Sequence, residues 1–137
     1  MIRHLNKTVY LFQTPYNITL KSAILNLSLD LALAWGPNWA QPIQSRLAAK
    51  DDTLSFSDLN EYNDLSQEVL NEGFQFITSR LEGVCDARET IKEKDLKTVF
   101  VENMVGKYPW INEEHLKKIF SQGLYYAWKD GLVDCVK

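Results

Sequence analysis

The feature that most constrains the fold is a recurrence of apolar residues at three- and four-residue intervals through residues 55–81. The positions are Leu59, Tyr62, Leu65, Val69, Leu70, Phe74, Ile77 and Leu81. This spacing returns to one side of an α-helix on every turn and predicts a single long amphipathic helix ending near Leu81. Ser55 and Ser57 are candidate N-caps, because their hydroxyls can accept hydrogen bonds from the free N–H groups of the first turn. Gly73 costs up to about 1 kcal/mol relative to alanine inside a helix, and therefore indicates either a close helix crossing or a bend.

Two helices are predicted before this one. Residues 20–35 are apolar on nearly all sides, with Thr19 as the expected N-cap and the turn at Gly36 as the stop. A helix that is apolar all round is usually buried, so we expect this one at the centre of the fold. Pro42 is suited to begin a short second helix that ends near Lys50.

Two more helices are predicted after it. Asp86 and Glu89 are spaced like a capping pair, and a stripe ending at Gly106 follows, formed by Leu96, Val99, Phe100 and Met104. Asn112 can cap a last helix with Gly131 as its stop. The apolar stripe of that helix comprises Leu116, Ile119, Phe120, Leu124, Ala127 and Trp128.

These patterns predict an all-α fold, a compact bundle of about five helices in one domain spanning residues 1–137. The 137 residues suit one hydrophobic core. Residues 8–12 are β-branched and aromatic and end before Pro15, which indicates a short N-terminal strand or an extended arm packed on the helices.

The charge balance argues for a basic partner and against direct binding of nucleic acid. Lysine and arginine number 15 and aspartate and glutamate 18, which gives a net charge of −3. A phosphate-binding domain generally needs a basic surface. The acidity is concentrated in residues 51–79, which contain seven acidic residues and no basic one.

Five of these acids are spaced to lie along one side of the predicted long helix. They are Asp58, Glu61, Asp64, Glu68 and Glu72, and together they span an arc of about 120°. Like charges three or four residues apart on a helix repel by a few tenths of a kcal/mol per pair. Two interpretations are open: a solvated face screened by salt or neutralised by Lys7, Lys21 or Arg46, or a surface that docks on a positively charged partner.

Aromatic residues supply a second set of candidate partner-binding positions. Phe120, Leu124 and Trp128 recur at helical spacing and are expected to be core. Exposed tyrosine and tryptophan are common interface anchors. The candidates are Trp39, Tyr108, Trp110, Tyr125 and Tyr126.

The sequence carries no pattern typical of catalysis or metal binding. His4 and His115 have no second ligand at metal spacing, and the six glycines stand singly rather than in a phosphate-binding loop. We therefore expect no metal, no cofactor and no enzymatic activity. Residues 20–35 are too short and too polar to span a membrane. Without an export signal, we expect a cytoplasmic protein with Cys85 and Cys135 as reduced, inert thiols.

The leading hypothesis is a small acidic protein that binds and inhibits a basic partner. The most concrete form is an immunity protein or antitoxin that neutralises a toxin such as a nuclease. One alternative is a structural subunit of a larger assembly. Another is a small enzyme with a pocket between helices that uses His115 or a buried carboxylate.

Overall fold

The structure is a computed structural model that describes residues 11–13, 19–39 and 41–137. Within these residues the chain forms two short strands, five α-helices and a 3-10 turn. The strands are β1 (Leu11–Gln13) and β2 (Thr19–Lys21), and the turn is Val133–Cys135. The helices are α1 (Ser22–Leu33), α2 (Gln44–Lys50), α3 (Phe56–Asp86), α4 (Glu93–Lys107) and α5 (Glu113–Lys129). The predicted all-α fold class is confirmed.

The N-cap predicted at Thr19 is wrong, because Thr19 begins a strand. β1 and β2 pair antiparallel, with Leu11 opposite Lys21 and Gln13 opposite Thr19. Lys21 ends β2 and occupies the N-cap position of α1 in an extended conformation, without a side-chain cap. An N-cap residue is itself extended, so a strand can lead directly into a helix. Of the strand predicted at residues 8–12, positions 8–10 lie outside the described residues.

The long helix α3 follows the prediction closely, and a reciprocal capping box begins it. The Asp58 N–H donates to Ser55 Oγ at 3.1 Å, and the Ser55 N–H donates to Asp58 Oδ2 at 3.0 Å. Ser55 is therefore the cap of the two serines proposed. The helix continues five residues beyond Leu81, to Asp86.

The chain divides into two compact units. Of the described residues, the N-terminal unit comprises those up to 69 and residues 110–115, and the C-terminal unit comprises residues 70–109 and 116–137. α3 and α5 contribute residues to both units. The single domain spanning residues 1–137 stays a prediction.

In the N-terminal unit, α1 is buried on one side only, which corrects the expectation of a helix buried all round. Its buried residues are Leu25, Ser28, Leu29, Ala32 and Leu33, whereas Ala23, Asp30 and Ala34 are exposed. The short helix α2 ends at Lys50 as predicted, but it begins at Gln44 rather than at Pro42, and Ile43 is its N-cap. Ile43, which precedes it, and Leu47, within it, are both fully buried.

In the C-terminal unit, two glycines let helices α3 and α5 approach closely. A Cβ added at Gly73 would lie 2.5 Å from Ile119 Cγ2, and one added at Gly123 would overlap Ile77 Cδ1. Gly73 therefore marks a close helix crossing, the first of the two alternatives that its position indicated. Phe100 is fully buried, and its ring centroid lies 5.4 Å from that of Phe120.

Helix α4 begins later than the capping pair predicted. Asp86 ends α3, and α4 starts at Glu93 with no side-chain cap at Lys92. Between the two helices the chain turns through Arg88, whose φ is +56°. The spacing of Asp86 and Glu89 resembled a cap, but no helix begins there.

The expectation of reduced thiols is also wrong, because Cys85 and Cys135 form a disulfide. Their Cα atoms lie 5.6 Å apart, within the usual range for such a bond. The two cysteines are 50 residues apart in the sequence, and sequence spacing alone does not show which positions meet in space.

Within the described residues, none of the helices combines the length and the apolar character that a membrane-spanning segment needs.

Candidate functional site

The acidic face is the row Asp58, Glu61, Asp64, Glu68 and Glu72 on α3. Asp64 and Glu68 are exposed, and the other three side chains are half-buried. The first four belong to the N-terminal unit and Glu72 belongs to the C-terminal unit. The structure thus places these carboxylates on one helix, as expected, but in unequal environments.

The two outer acids of the row have structural partners. Asp58 closes the capping box of α3. Glu72 forms an ion pair with Lys107 and accepts a hydrogen bond from Asn103 Nδ2 at 3.5 Å. The hydrogen bond from Lys107 holds the pKa of Glu72 below its usual value, although burial acts in the opposite direction. Neutralisation at this end of the face therefore comes from Lys107, which lies 35 residues away in sequence.

The described cations that were proposed to neutralise the acidic face, Arg46 and Lys21, interact with other groups of the chain. Arg46 donates through Nη1 to the Leu31 carbonyl at 2.7 Å and through Nη2 to the Gln41 and Pro42 carbonyls. Lys21 helps to lower the pKa of Asp51, after the larger effect of hydrogen bonds from Thr53. Lys7 lies outside the described residues.

In the middle of the face, carboxylates repel one another. Partial burial, followed by the charge of Asp64, raises the pKa of Glu61 above its usual value. Asn63 Nδ2 donates a hydrogen bond to Asp64 Oδ1 at 3.4 Å. Glu61, Asp64 and Glu68 form the middle of the acidic face, and two of them, Asp64 and Glu68, are exposed to an external cation.

The aromatic candidates differ in how much surface they offer. Trp110 is only 6% exposed, and its carbonyl accepts a hydrogen bond from Asn26 Nδ2. Trp39, Tyr108 and Tyr126 are half-buried, and Tyr125 is 41% exposed. Among these five, Tyr125 offers a partner the most surface and Trp110 the least.

Two exposed tryptophans were missed as candidates. Trp35 is 59% exposed and stacks on Trp39 with ring centroids 5.9 Å apart. Trp128, expected in the core, is 61% exposed. Each four-residue step along a helix rotates by 40°, so the row that begins at buried Phe120 turns away from the core by Trp128. A helical wheel centred on Leu116, Ile119 and Gly123 would have shown this rotation.

The exposed aromatics of α5 border an open groove of about 440 Å³ in the C-terminal unit. We call it the aromatic groove. The Lys129 ammonium lies 5.2 Å from the centroid of the Tyr125 ring, beside the groove. The groove is lined by Glu93, Ser121, Leu124, Tyr125, Trp128, Val133, Val136 and Lys137.

His115 is buried in the N-terminal unit and has an oxygen partner at each ring nitrogen. Nδ1 lies 3.0 Å from Asn26 Oδ1, and Nε2 lies 3.1 Å from Asp30 Oδ1. The His115 N–H also donates to Asn112 Oδ1, which confirms the predicted cap of α5. With both ring nitrogens engaged, this arrangement connects α1 to the start of α5 and presents no free ring nitrogen to a substrate. Within the described residues, no group of three or more acidic, histidine or cysteine side chains is placed to hold a metal ion.

Comparison with known proteins does not supply a function. The chain matches no protein-family model, no curated protein and no solved structure. An assignment of function therefore rests on the surfaces described above.

Proposed function

We propose that this chain is a small protein-binding protein that inhibits a basic partner, in the manner of an immunity protein or antitoxin that neutralises a toxin such as a nuclease. The observation that carries the proposal is the row Glu61, Asp64 and Glu68 on α3, in which Asp64 and Glu68 are exposed. Burial, and after it repulsion by the charge of Asp64, raises the pKa of Glu61. Asp58 caps α3 and Glu72 pairs with Lys107, so the proposed contact centres on the middle of the row, where Asp64 and Glu68 are exposed.

A basic partner would relieve this repulsion. Like charges at helical spacing destabilise the free protein, and a lysine or arginine from a partner turns each unfavourable contact into a favourable one. Asp64 and Glu68 are exposed and therefore accessible to such a partner. Complementary surface charge also speeds diffusional encounter and discriminates against acidic partners.

The charge pattern favours a partner that itself binds a polyanion. Glu61 and Glu68 are separated by seven residues of helix, a rise of about 10 Å, so the three carboxylates form a short row rather than a point charge. A groove that binds nucleic acid is lined with lysine and arginine aimed at successive phosphates. A row of carboxylates seated there would block the groove, which is the simplest way for a protein of this size to inhibit a nuclease.

The test compares two charge-matched variants of the full chain. One carries Glu61→Lys, Asp64→Lys and Glu68→Lys, and the control carries Glu82→Lys, Glu102→Lys and Asp130→Lys at exposed positions that are not part of the acidic face. Circular dichroism first establishes that both are folded. Each variant and the wild type are then used to capture proteins from host lysate at low and moderate salt.

We expect one basic protein to be retained by the wild type and the control but lost with the acidic-face variant. Titration calorimetry with that protein should then show an affinity reduced about 100-fold or more by the acidic-face changes. Stoichiometric wild type should inhibit its activity. Equal retention by all three chains, or binding without inhibition, would contradict the proposal and favour a structural subunit of a larger assembly.

A further inference from the structure

We propose that the Cys85–Cys135 disulfide is a redox-sensitive switch that holds residues 133–137 at the start of α4. On reduction, residues 133–137 leave the start of α4 and one wall of the aromatic groove is lost, while the helices of the C-terminal unit stay packed. The inference rests on contacts inside that unit and is independent of the acidic face.

Residues 133–137 are attached by three backbone hydrogen bonds to Ile91 and to Glu93, the first residue of α4. The Ile91 N–H donates to the Cys135 carbonyl at 2.9 Å, and the Lys137 N–H donates to the Ile91 carbonyl at 2.8 Å. The Glu93 N–H donates to the Lys137 carbonyl at 3.0 Å. Ile91 and Val136 thereby form an isolated parallel bridge. The disulfide is the one covalent attachment of this segment to α3.

These hydrogen bonds are too few to order the segment alone. The net gain from a backbone hydrogen bond is about the same as the conformational entropy lost by fixing one residue. Five residues must be ordered, and that ordering is favoured by these three hydrogen bonds and by one within the segment, from the Val136 N–H to the Val133 carbonyl. The disulfide shifts the balance because it keeps Cys135 beside Cys85 whether or not the neighbouring residues are ordered.

The helices of the same unit are held together by packing contacts and an ion pair that do not involve the disulfide. Gly73 allows Ile119 of α5 to lie against α3, and Phe100 of α4 is fully buried. Lys107 of α4 pairs with Glu72 of α3. Loss of the disulfide therefore leaves the helix packing in place, and the structural change is local.

The segment supplies part of the aromatic groove. Val133 and Val136 line it together with Leu124, Tyr125 and Trp128 of α5. When residues 133–137 are released, the aromatic side chains of α5 lose the surface that faces them. The oxidised protein thus has a groove at this position, and the reduced protein has an open helix face.

The reaction is an ordinary thiol–disulfide exchange with a dithiol reductant of the thioredoxin class. Cys85 is half-buried and Cys135 is buried, so the reductant thiolate attacks Cys85 Sγ. The S–S bond breaks, Cys135 leaves as a thiolate and takes up a proton, and a mixed disulfide forms on Cys85. The second thiol of the reductant then displaces Cys85 as a thiol, and the reductant ends as a disulfide. Two electrons and two hydrogens have passed to the protein.

Amide hydrogen exchange of the full chain, followed by NMR, tests the proposal, with dithiothreitol as the reductant. In the reduced protein we expect the amides of Ile91, Glu93 and Lys137 to exchange at least 10-fold faster. The amides of Phe120 and Leu124 in α5 should change less than 3-fold.

The double variant Cys85→Ser with Cys135→Ser should give the reduced exchange pattern and no response to dithiothreitol. A response in that variant would mean that the effect does not arise from this disulfide. Three results would overturn the proposal: unchanged protection at Ile91, Glu93 and Lys137 after reduction, loss of protection throughout α5, or a disulfide that dithiothreitol does not reduce in the folded protein.

Discussion

In the N-terminal unit, polar side chains reach backbone atoms across loops, whereas in the C-terminal unit long helices pack through glycines and aromatic rings. Arg46 donates to carbonyls of α1 and of the loop before α2. The Ile43 N–H donates to Asn63 Oδ1, and the Lys21 N–H donates to Tyr62 Oη. Burial is the main influence that raises the pKa of Tyr62.

The C-terminal unit is built on close helix packing. Its helices satisfy their own backbone groups, so their association depends on shape, as at Gly73 against Ile119 and Gly123 against Ile77. A disulfide and the pair of Glu72 with Lys107 are added.

The difference follows from the length of the elements in each unit. A short helix or loop leaves a larger share of its N–H and C=O groups without a helical partner, and each of these must be satisfied when buried. The N-terminal unit should therefore be sensitive to the loss of hydrogen-bonding atoms. The C-terminal unit should be sensitive to added volume.

The largest effect is expected at Asn26 in the N-terminal unit. Its Nδ2 donates to the carbonyls of Ser22 and Trp110, and its Oδ1 accepts from the Asn112 N–H and faces His115 Nδ1. Asn26→Ala leaves several of these groups without a partner and should lower the free energy of unfolding by about 3 kcal/mol in urea denaturation.

Asn71→Ala, at an exposed position of α3, is the matched control and should stay within about 0.5 kcal/mol of the wild type. Equal stability of the Asn26 and Asn71 variants would show that the polar network contributes little.

A pair of glycine substitutions on α3 tests the close packing of the C-terminal unit. Gly73→Ala places a Cβ against Ile119 and should destabilise by about 1–3 kcal/mol. Gly83→Ala meets nothing within 4 Å and should stabilise by up to about 1 kcal/mol through helix propensity alone. Thermal denaturation followed by circular dichroism distinguishes the two, and a gain in both variants would contradict a tight crossing at Gly73.

The smallest effects, opposite in sign, are expected at two acids of the same face. Glu72 has a lowered pKa, so its charged form stabilises the folded state above the unfolded value of 4.5, and this is lost as the pH falls through the folded pKa. Glu61 has a raised pKa, so its charged form destabilises the folded state near neutral pH, and the penalty disappears below 4.5.

At pH 7, Glu72→Gln should lower stability by a few tenths of a kcal/mol and Glu61→Gln should raise it similarly, since both side chains are substantially solvated. Urea denaturation at pH 7 and pH 3 measures both, and the differences from wild type should be smaller at pH 3 than at pH 7. If both variants change the free energy of unfolding in the same direction at pH 7, the ion pair with Lys107 does not make Glu72 differ from Glu61.

Capping residues and apolar periodicity predicted most of the helices. The prediction failed where one residue suits two kinds of structure. Ser55, Asn112 and Gly131 act within one turn of their own helix ends, and all three are where the sequence indicated. Thr19 suits an N-cap or a strand, and its pairing with Gln13 decided for the strand. The acidic face was visible in the sequence, but its environment was not, because Lys107 comes from another helix.

The sequence by itself determined which segments become helices and which acids share one side of α3, since periodicity and capping depend on residues a few positions apart. The tertiary structure decided which distant residues meet. His115 lies 89 residues from Asn26, and Cys135 lies 50 residues from Cys85. Such pairs depend on how the helices are arranged within each unit, and that arrangement results from the summed packing of many side chains rather than from any local pattern.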